Sequence, residues 1–172
     1  RGAAVGDGTK AMGERKVKLK AAPELTRATV GLEVITVEVR QPNNPKNVDT
    51  YRYTRREPVT PAEIARAQTG TGEQMPFEWG DPTPVKIKTT EIAKLPGVIF
   101  SPGEVAWSRI PSLAKEALKI LGEIEQPRVD KASVAKGADT AQINISIPVD
   151  GIRGSGSLRA DNKGVIISAK RQ

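Results

Sequence analysis

The 172-residue chain has no cysteine and no histidine. Without cysteine there are no disulfides, thiolate nucleophiles or cysteine-ligated metals, and the redox compartment is left undetermined. Without histidine there is no side chain whose unperturbed pKa lies near neutrality, so neither a Ser-His-Asp triad nor a histidine-ligated zinc can be assembled. Aromatics are scarce, at two Phe, two Tyr and two Trp, so Val, Ile, Leu and Ala must supply most of the core. No run of eighteen or more apolar residues occurs, and nothing in the given sequence has the character of a spanning helix.

These absences argue against an enzyme. The carboxylate pairs Glu123/Glu125 and Asp130/Asp139 are the remaining acid–base candidates, but acids scattered among lysines read as a solvated face. No calcium-loop spacing occurs. The expectation is a protein with no catalytic residue, no cofactor and no metal.

What is present is a globular composition, 37% hydrophobic and 27% charged, long enough to bury a core without staples. The formal charge of +7 is uneven: residues 1–20 carry +4, residues 21–100 carry none, and residues 101–172 carry +3. The basicity peaks in ERKVKLK, Glu14 to Lys20. Residues 1–23 read as a basic flexible arm that suits anionic lipid headgroups or a nucleic acid, although short charge runs are more often simply solvated.

Residues 24–105 read as a β-rich upstream region with one short helix. From Thr29 to Arg40 the β-branched content predicts a strand. Its alternation slips, since Val30, Leu32 and Val34 share one parity and Ile35, Val37 and Val39 the other, so a bulge near Val34 or a strand that changes partners is expected. QPNNPKN forms a loop and Thr50–Arg55 returns as a strand with Tyr51 and Tyr53 on one face. Thr60-Pro61-Ala62-Glu63 is helix-start chemistry, with the helix running to about Gln68. Residues 69–84 read as a loop carrying Phe77 and Trp79, either a contact surface or a cover for an aromatic-poor core. Val85–Thr89 and Val98–Phe100 are short strand candidates.

Residues 106–172 read as a helix plus an antiparallel sheet. From Ser112, the residues Leu113, Ala117, Leu118, Leu121 and Ile124 make one helical stripe, with Leu121-Gly122 near its end. Four strand candidates follow: Val129–Lys136, Ala141–Val149, Gly156–Ala160 and Val165–Lys170. In the second, Ile143, Ile145, Ile147 and Val149 alternate with polar or small residues, the period of a strand with one face buried. DNKG between the last two is hairpin chemistry. The fold class expected is α+β, an amphipathic helix packed on an antiparallel meander with the β-rich region upstream.

Between the second and third strands lies GIRGSG. Gly151 and Gly154 are expected at positive φ in a tight turn, and Gly156 at a bulge or close backbone approach. Arg153 beside free N–H groups would suit an anion. The spacing is not a dinucleotide fingerprint, which is G-x-G-x-x-G before a helix.

An amphipathic helix ending near Leu121-Gly122, then Ile145-Ser146-Ile147-Pro148-Val149, then Gly151-Ile152-Arg153-Gly154-Ser155-Gly156 and Leu158, together resemble the cytochrome c oxidase assembly factor one (Coa-one) family. More distantly they are similar to the intermembrane-space domain of the twenty-one-kilodalton subunit of the mitochondrial presequence translocase. The resemblance covers the C-terminal third. It departs from the pattern in having about a hundred residues ahead of the helix, and Val165-Ile166-Ile167 where an aromatic usually sits. It implies a membrane-tethered assembly or interaction subunit facing a bacterial extracytoplasmic or mitochondrial compartment, plausible for a respiratory complex. Its partners would be protein subunits bound through the C-terminal sheet and the turn of Gly151, Arg153, Gly154 and Gly156. The chain starts at Arg1, so an anchor ahead of it, since removed, is part of that expectation. The alternative is nucleic-acid binding, with Tyr51, Arg52, Tyr53 and Arg55 as a stacking strand and Lys16, Lys18 and Lys20 neutralising phosphates.

Overall fold

The computed structural model describes residues 23–31, 34–55, 62, 77–87 and 89–172. The arm with Lys16, Lys18 and Lys20, and nearly all of the helix expected over Thr60–Gln68, lie outside them. Nine strands form one antiparallel sheet. They are β1 Leu25–Gly31, β2 Val34–Arg40, β3 Val48–Arg55, β4 Phe77–Trp79, β5 Thr83–Pro84, β6 Lys131–Lys136, β7 Ile143–Asp150, β8 Ser155–Asp161 and β9 Ile166–Arg171. The spatial order is β4-β3-β2-β1-β6-β7-β8-β9, and β5 also pairs with β3.

This corrects the expected α+β class. The protein is largely β: a single sheet runs through both the upstream and the C-terminal strands, and among the described residues one helix longer than a turn, Ile110–Ile120, accompanies it. The join is β1 on β6, from Arg27 opposite Ala135 to Gly31 opposite Lys131. That contact spans about a hundred residues of sequence, so no local pattern announces it.

The parity slip between Val30 and Ile35 has a simple cause. It marks a hairpin and not a bulge within one strand, since β1 and β2 pair antiparallel with Val30 opposite Ile35. Reversing direction resets which parity faces inward. Ala28 and Val30 are buried on β1, and Ile35, Val37 and Val39 on β2. A bulge does occur, earlier, between Leu25 and Arg27.

Other expectations shift as well. The loop expected over residues 69–84 contains strand β4, with Tyr53 opposite Trp79. In place of the strand expected over Val85–Thr89, the described residues 85–87 are in none, and Thr89–Ile92 and Leu95–Val98 are single helical turns. Phe100 makes only an isolated bridge to Leu25, closed by two backbone hydrogen bonds of 2.8 and 2.9 Å. Short apolar runs do not separate strand from helix, and flanking contacts decided here.

The four C-terminal strands fall close to their expected positions, and β7 buries Ile143, Ile145, Ile147 and Val149. Pro148 is tolerated in this central strand because the β6 register reaches only Ser146. Beyond it, Arg128 bridges Asp150, so the missing N–H falls in a gap between two ladders. At the β8–β9 hairpin, Asp161 Oδ1 accepts the N–H groups of Lys163 (2.9 Å) and Val165 (2.8 Å), and Gly164 sits at φ +82°.

Apart from Val48, which stands opposite Arg40 on the other side, the buried strand positions share one sheet face. The helix lays Ile110, Leu113 and Ala117 against its β7–β8 region, with Phe100, Trp107, Leu121 and Ile124 completing the core. Trp107 Nε1 donates to Pro102 O at 2.7 Å, which lets a large polar-tipped ring stay buried.

Candidate functional site

The GIRGSG turn is built at the β7–β8 end, against the segment that leaves the helix. Gly151 N–H donates to Gly154 O at 3.1 Å, closing the turn, and Ile152 N–H donates to Glu125 O at 2.9 Å, docking it. The three glycines serve different ends. Gly154 takes φ +115°, as expected. Gly151 does not adopt positive φ: a Cβ there would run into Glu125 O and the Ile124 side chain. A Cβ on Gly156 would lie 2.8 Å from Lys170 O and 3.0 Å from Leu121 Cδ1, so that glycine serves a close approach, as expected.

The side chains displayed by this frame are Ile152, 64% exposed, and Arg153, whose side chain is 85% exposed. Arg153 Nε lies 3.8 Å from Glu125 Oε2, and Arg171 donates to Glu123 Oε2 at 3.3 Å. These are open ion pairs, worth little in stability. They leave the turn electrically mixed, and Arg153 already has a carboxylate for company, so the anion-nest reading gains nothing from the geometry. The same pairing occupies Glu123 and Glu125, while Asp130 sits 3.5 Å from Arg128 Nε. Asp139 lies exposed in the β6–β7 turn. Among the described residues, no group of three or more Asp or Glu is placed to hold a metal ion.

The upstream candidates separate. Tyr53 is 3% exposed and Tyr51 packs against the core, on the same face as Ile35 and Val37. The Tyr53 ring, buried there, has no free face for a base, and Tyr51 is partly covered. Arg52 points to the opposite, open face. Arg55 and Phe77 are opposite each other across β3 and β4, and the structure describes only the backbone of Arg55, Phe77 and Trp79. The turn and the Tyr51–Arg55 strand lie on different parts of the sheet and form no common site.

Ile152 is the residue that reading the turn for its glycines and arginine overlooked. The signal was available: an isoleucine inside a glycine turn, out of phase with the buried aliphatics of β7, has no place on that strand's core face. Two hollows lie among the described residues. One, of about 490 Å³, runs between the helix and the ends of β1 and β6, past Ala114, Leu118 and Val129. The other, of about 590 Å³, lies by Glu104, Gln142 and Asn162.

Gly154→Val tests the turn. A β-branched residue at φ +115° is strained, and we expect a loss of about 2 kcal/mol, read as a lowered urea midpoint at unchanged slope. An unchanged midpoint would show that the turn takes another conformation.

No protein-family model and no curated protein matches the chain. Among solved structures, it is similar to a candidate lipoprotein from Clostridium difficile 630, with a TM-score of 0.55 over 95% of this chain and 91% of that one, at 14% identity. At that identity the likeness shows a shared fold. Among the described residues, no helix is long and apolar enough to cross a membrane.

Proposed function

We propose that this chain is a non-enzymatic, membrane-associated protein of an extracytoplasmic compartment that binds protein subunits of a membrane complex through the GIRGSG turn. The observation that carries the reading is Ile152. An exposed aliphatic side chain beside an exposed arginine, on a turn fastened by Ile152 N–H to Glu125 O and by Gly151 N–H to Gly154 O, is preorganised for contact. A surface held in one conformation loses little entropy when it docks. The fold shared with a candidate lipoprotein supports the membrane-side placement. The C-terminal resemblance supports a respiratory complex as the partner class.

The test is affinity purification of the full-length protein from detergent-solubilised membranes, wild type against Ile152→Asp/Arg153→Glu, with copurifying proteins quantified by mass spectrometry. Both positions are exposed, so the double variant should melt with the wild type. We expect a set of membrane-complex subunits to be depleted at least tenfold, the scale of one lost contact of about 1.4 kcal/mol. Identical protein sets would reduce the turn to a structural device. Recovery with nuclease-sensitive nucleic acid would replace the reading by the alternative.

A further inference from the structure

The face of the sheet that lies away from the core carries an ordered pattern that the turn does not use. Because neighbouring strand positions alternate between faces, the residues between the buried ones point together to this open side. Strand register places Arg52 opposite Thr36, Thr36 opposite Thr29, and Thr29 opposite Ser133. It continues from Ser133 to Ser146, from Ser146 to Arg159, and from Arg159 to Ser168. One row across seven strands therefore holds short hydroxyl side chains with an arginine near each end and no carboxylate. At the ordinary strand spacing, Arg52 and Arg159 are about 24 Å apart along it. Arg27 flanks the row on one side, and Lys131 and Lys170 on the other.

Arg27, Arg52, Lys131, Arg159 and Lys170 are all exposed, and among the described residues none is in an ion pair. Arg40, on the same face as Glu38, pairs with Glu24, and four arginines elsewhere find carboxylates: Arg109, Arg128, Arg153 and Arg171. Among the residues whose side chains are described, the open face has four carboxylates of its own, one of them Glu24, which pairs with Arg40. Glu38 accepts from Thr26 Oγ1, Asp161 accepts two backbone N–H groups, and Asp150 sits at the end of β7. The pattern is a row of hydroxyls with five cations in or beside it that are in no ion pair, the carboxylates lying off that row and no described aromatic or large apolar anchor standing in it.

We infer that this open face docks on an anionic phospholipid surface, its cations and hydroxyls engaging the phosphate headgroups. The inference rests on the membrane-side reading above and adds a second surface to it, since the turn and the open face use different residues. Cations spread over two dimensions match a charged plane, and each contributes to binding within a Debye length of it. A single-stranded nucleic acid fits less well, because it asks for exposed rings between the cations and both described tyrosines face the core.

The experiment is sedimentation of the purified full chain with vesicles of pure phosphatidylcholine and of phosphatidylcholine with 30% phosphatidylglycerol as the probe composition. It compares wild type, Arg52→Gln/Lys131→Gln/Arg159→Gln, and Lys16→Gln/Lys18→Gln/Lys20→Gln. Each cation near such a surface is worth roughly fivefold, so the sheet variant should bind the anionic vesicles on the order of a hundredfold more weakly at an unchanged melting temperature. Binding should also weaken steeply with salt and vanish on the neutral vesicles. Equal binding by wild type and the sheet variant, or a loss confined to the arm variant, would overturn the inference. So would tighter binding to a single-stranded oligonucleotide at the same ionic strength. If wild type ignores vesicles yet retains its Ile152-dependent protein partners, this inference fails and the partner-binding function stands.

Discussion

Gly151→Ala should destabilise the protein by about 3 kcal/mol although it adds a single methyl group. The reason is not backbone freedom, since Gly151 lies outside the positive-φ set. The added Cβ would occupy the space of Glu125 O and the Ile124 side chain. Neither can withdraw easily: Glu125 O accepts the Ile152 N–H at 2.9 Å, and Ile124 is 1% exposed in the core. Relief requires the segment after the helix to lift away, which uncovers Ile124 and loosens Leu121 above Gly156. For a chain of this size the loss corresponds to a fall of roughly 6–12 °C in melting temperature. Gly103→Ala is the control, because a Cβ there meets nothing within 4 Å. If both variants melt together in a thermal scan followed by circular dichroism, the segment after the helix does not lie against the turn.

The same turn shows what could be read from the sequence and what could not. Local periodicity was enough for β7, where four alternating aliphatics left one face to bury, and for the hairpin at Asp161–Gly164, where turn chemistry is short-range. It located the helix within two residues, since the stripe of Leu113 and Ala117 needs no partner to be recognised. It pointed to Gly154 but assigned Gly151 the wrong reason, because the atoms that crowd Gly151 come from residues 124 and 125, which only the fold brings there. The upstream strands failed differently. Ile35 and Val30 carried a true signal, but a parity reversal is produced equally by a bulge and by a tight hairpin, and the sequence alone does not choose. The tyrosines of β3 were legible as one face and illegible as to which face, since that is decided by the pairing with β2, where Tyr53 stands opposite Ile35 and Tyr51 opposite Val37. The open face was hidden for the same reason: Arg52 and Arg159 are 107 positions apart and share a row only through five strand pairings.

Ser133→Pro should therefore have an effect far beyond its own strand. Ser133 sits on β6 between two neighbours, opposite Thr29 on β1 and Ser146 on β7. Every N–H along such a strand faces one neighbour or the other, so proline there deletes a ladder hydrogen bond and leaves its acceptor unsatisfied, while the ring crowds the adjacent strand. We expect about 3 kcal/mol or more of destabilisation, with the substituted side chain itself costing little because serine at this place lies on the open face. The distribution of the loss is the informative part. The core side chains of β2 and β3 form one buried cluster with those of β7 and β8. Among the described residues, the β1–β6 ladder is the only strand pairing that links the two sets. Amide hydrogen exchange should consequently lose protection in β2–β3 and in β7–β8 together, as one cooperative unit. Protection retained in β2 and β3 while β7 and β8 open would mean that the two sets fold independently. In that case the row from Arg52 to Arg159 could not act as one continuous surface.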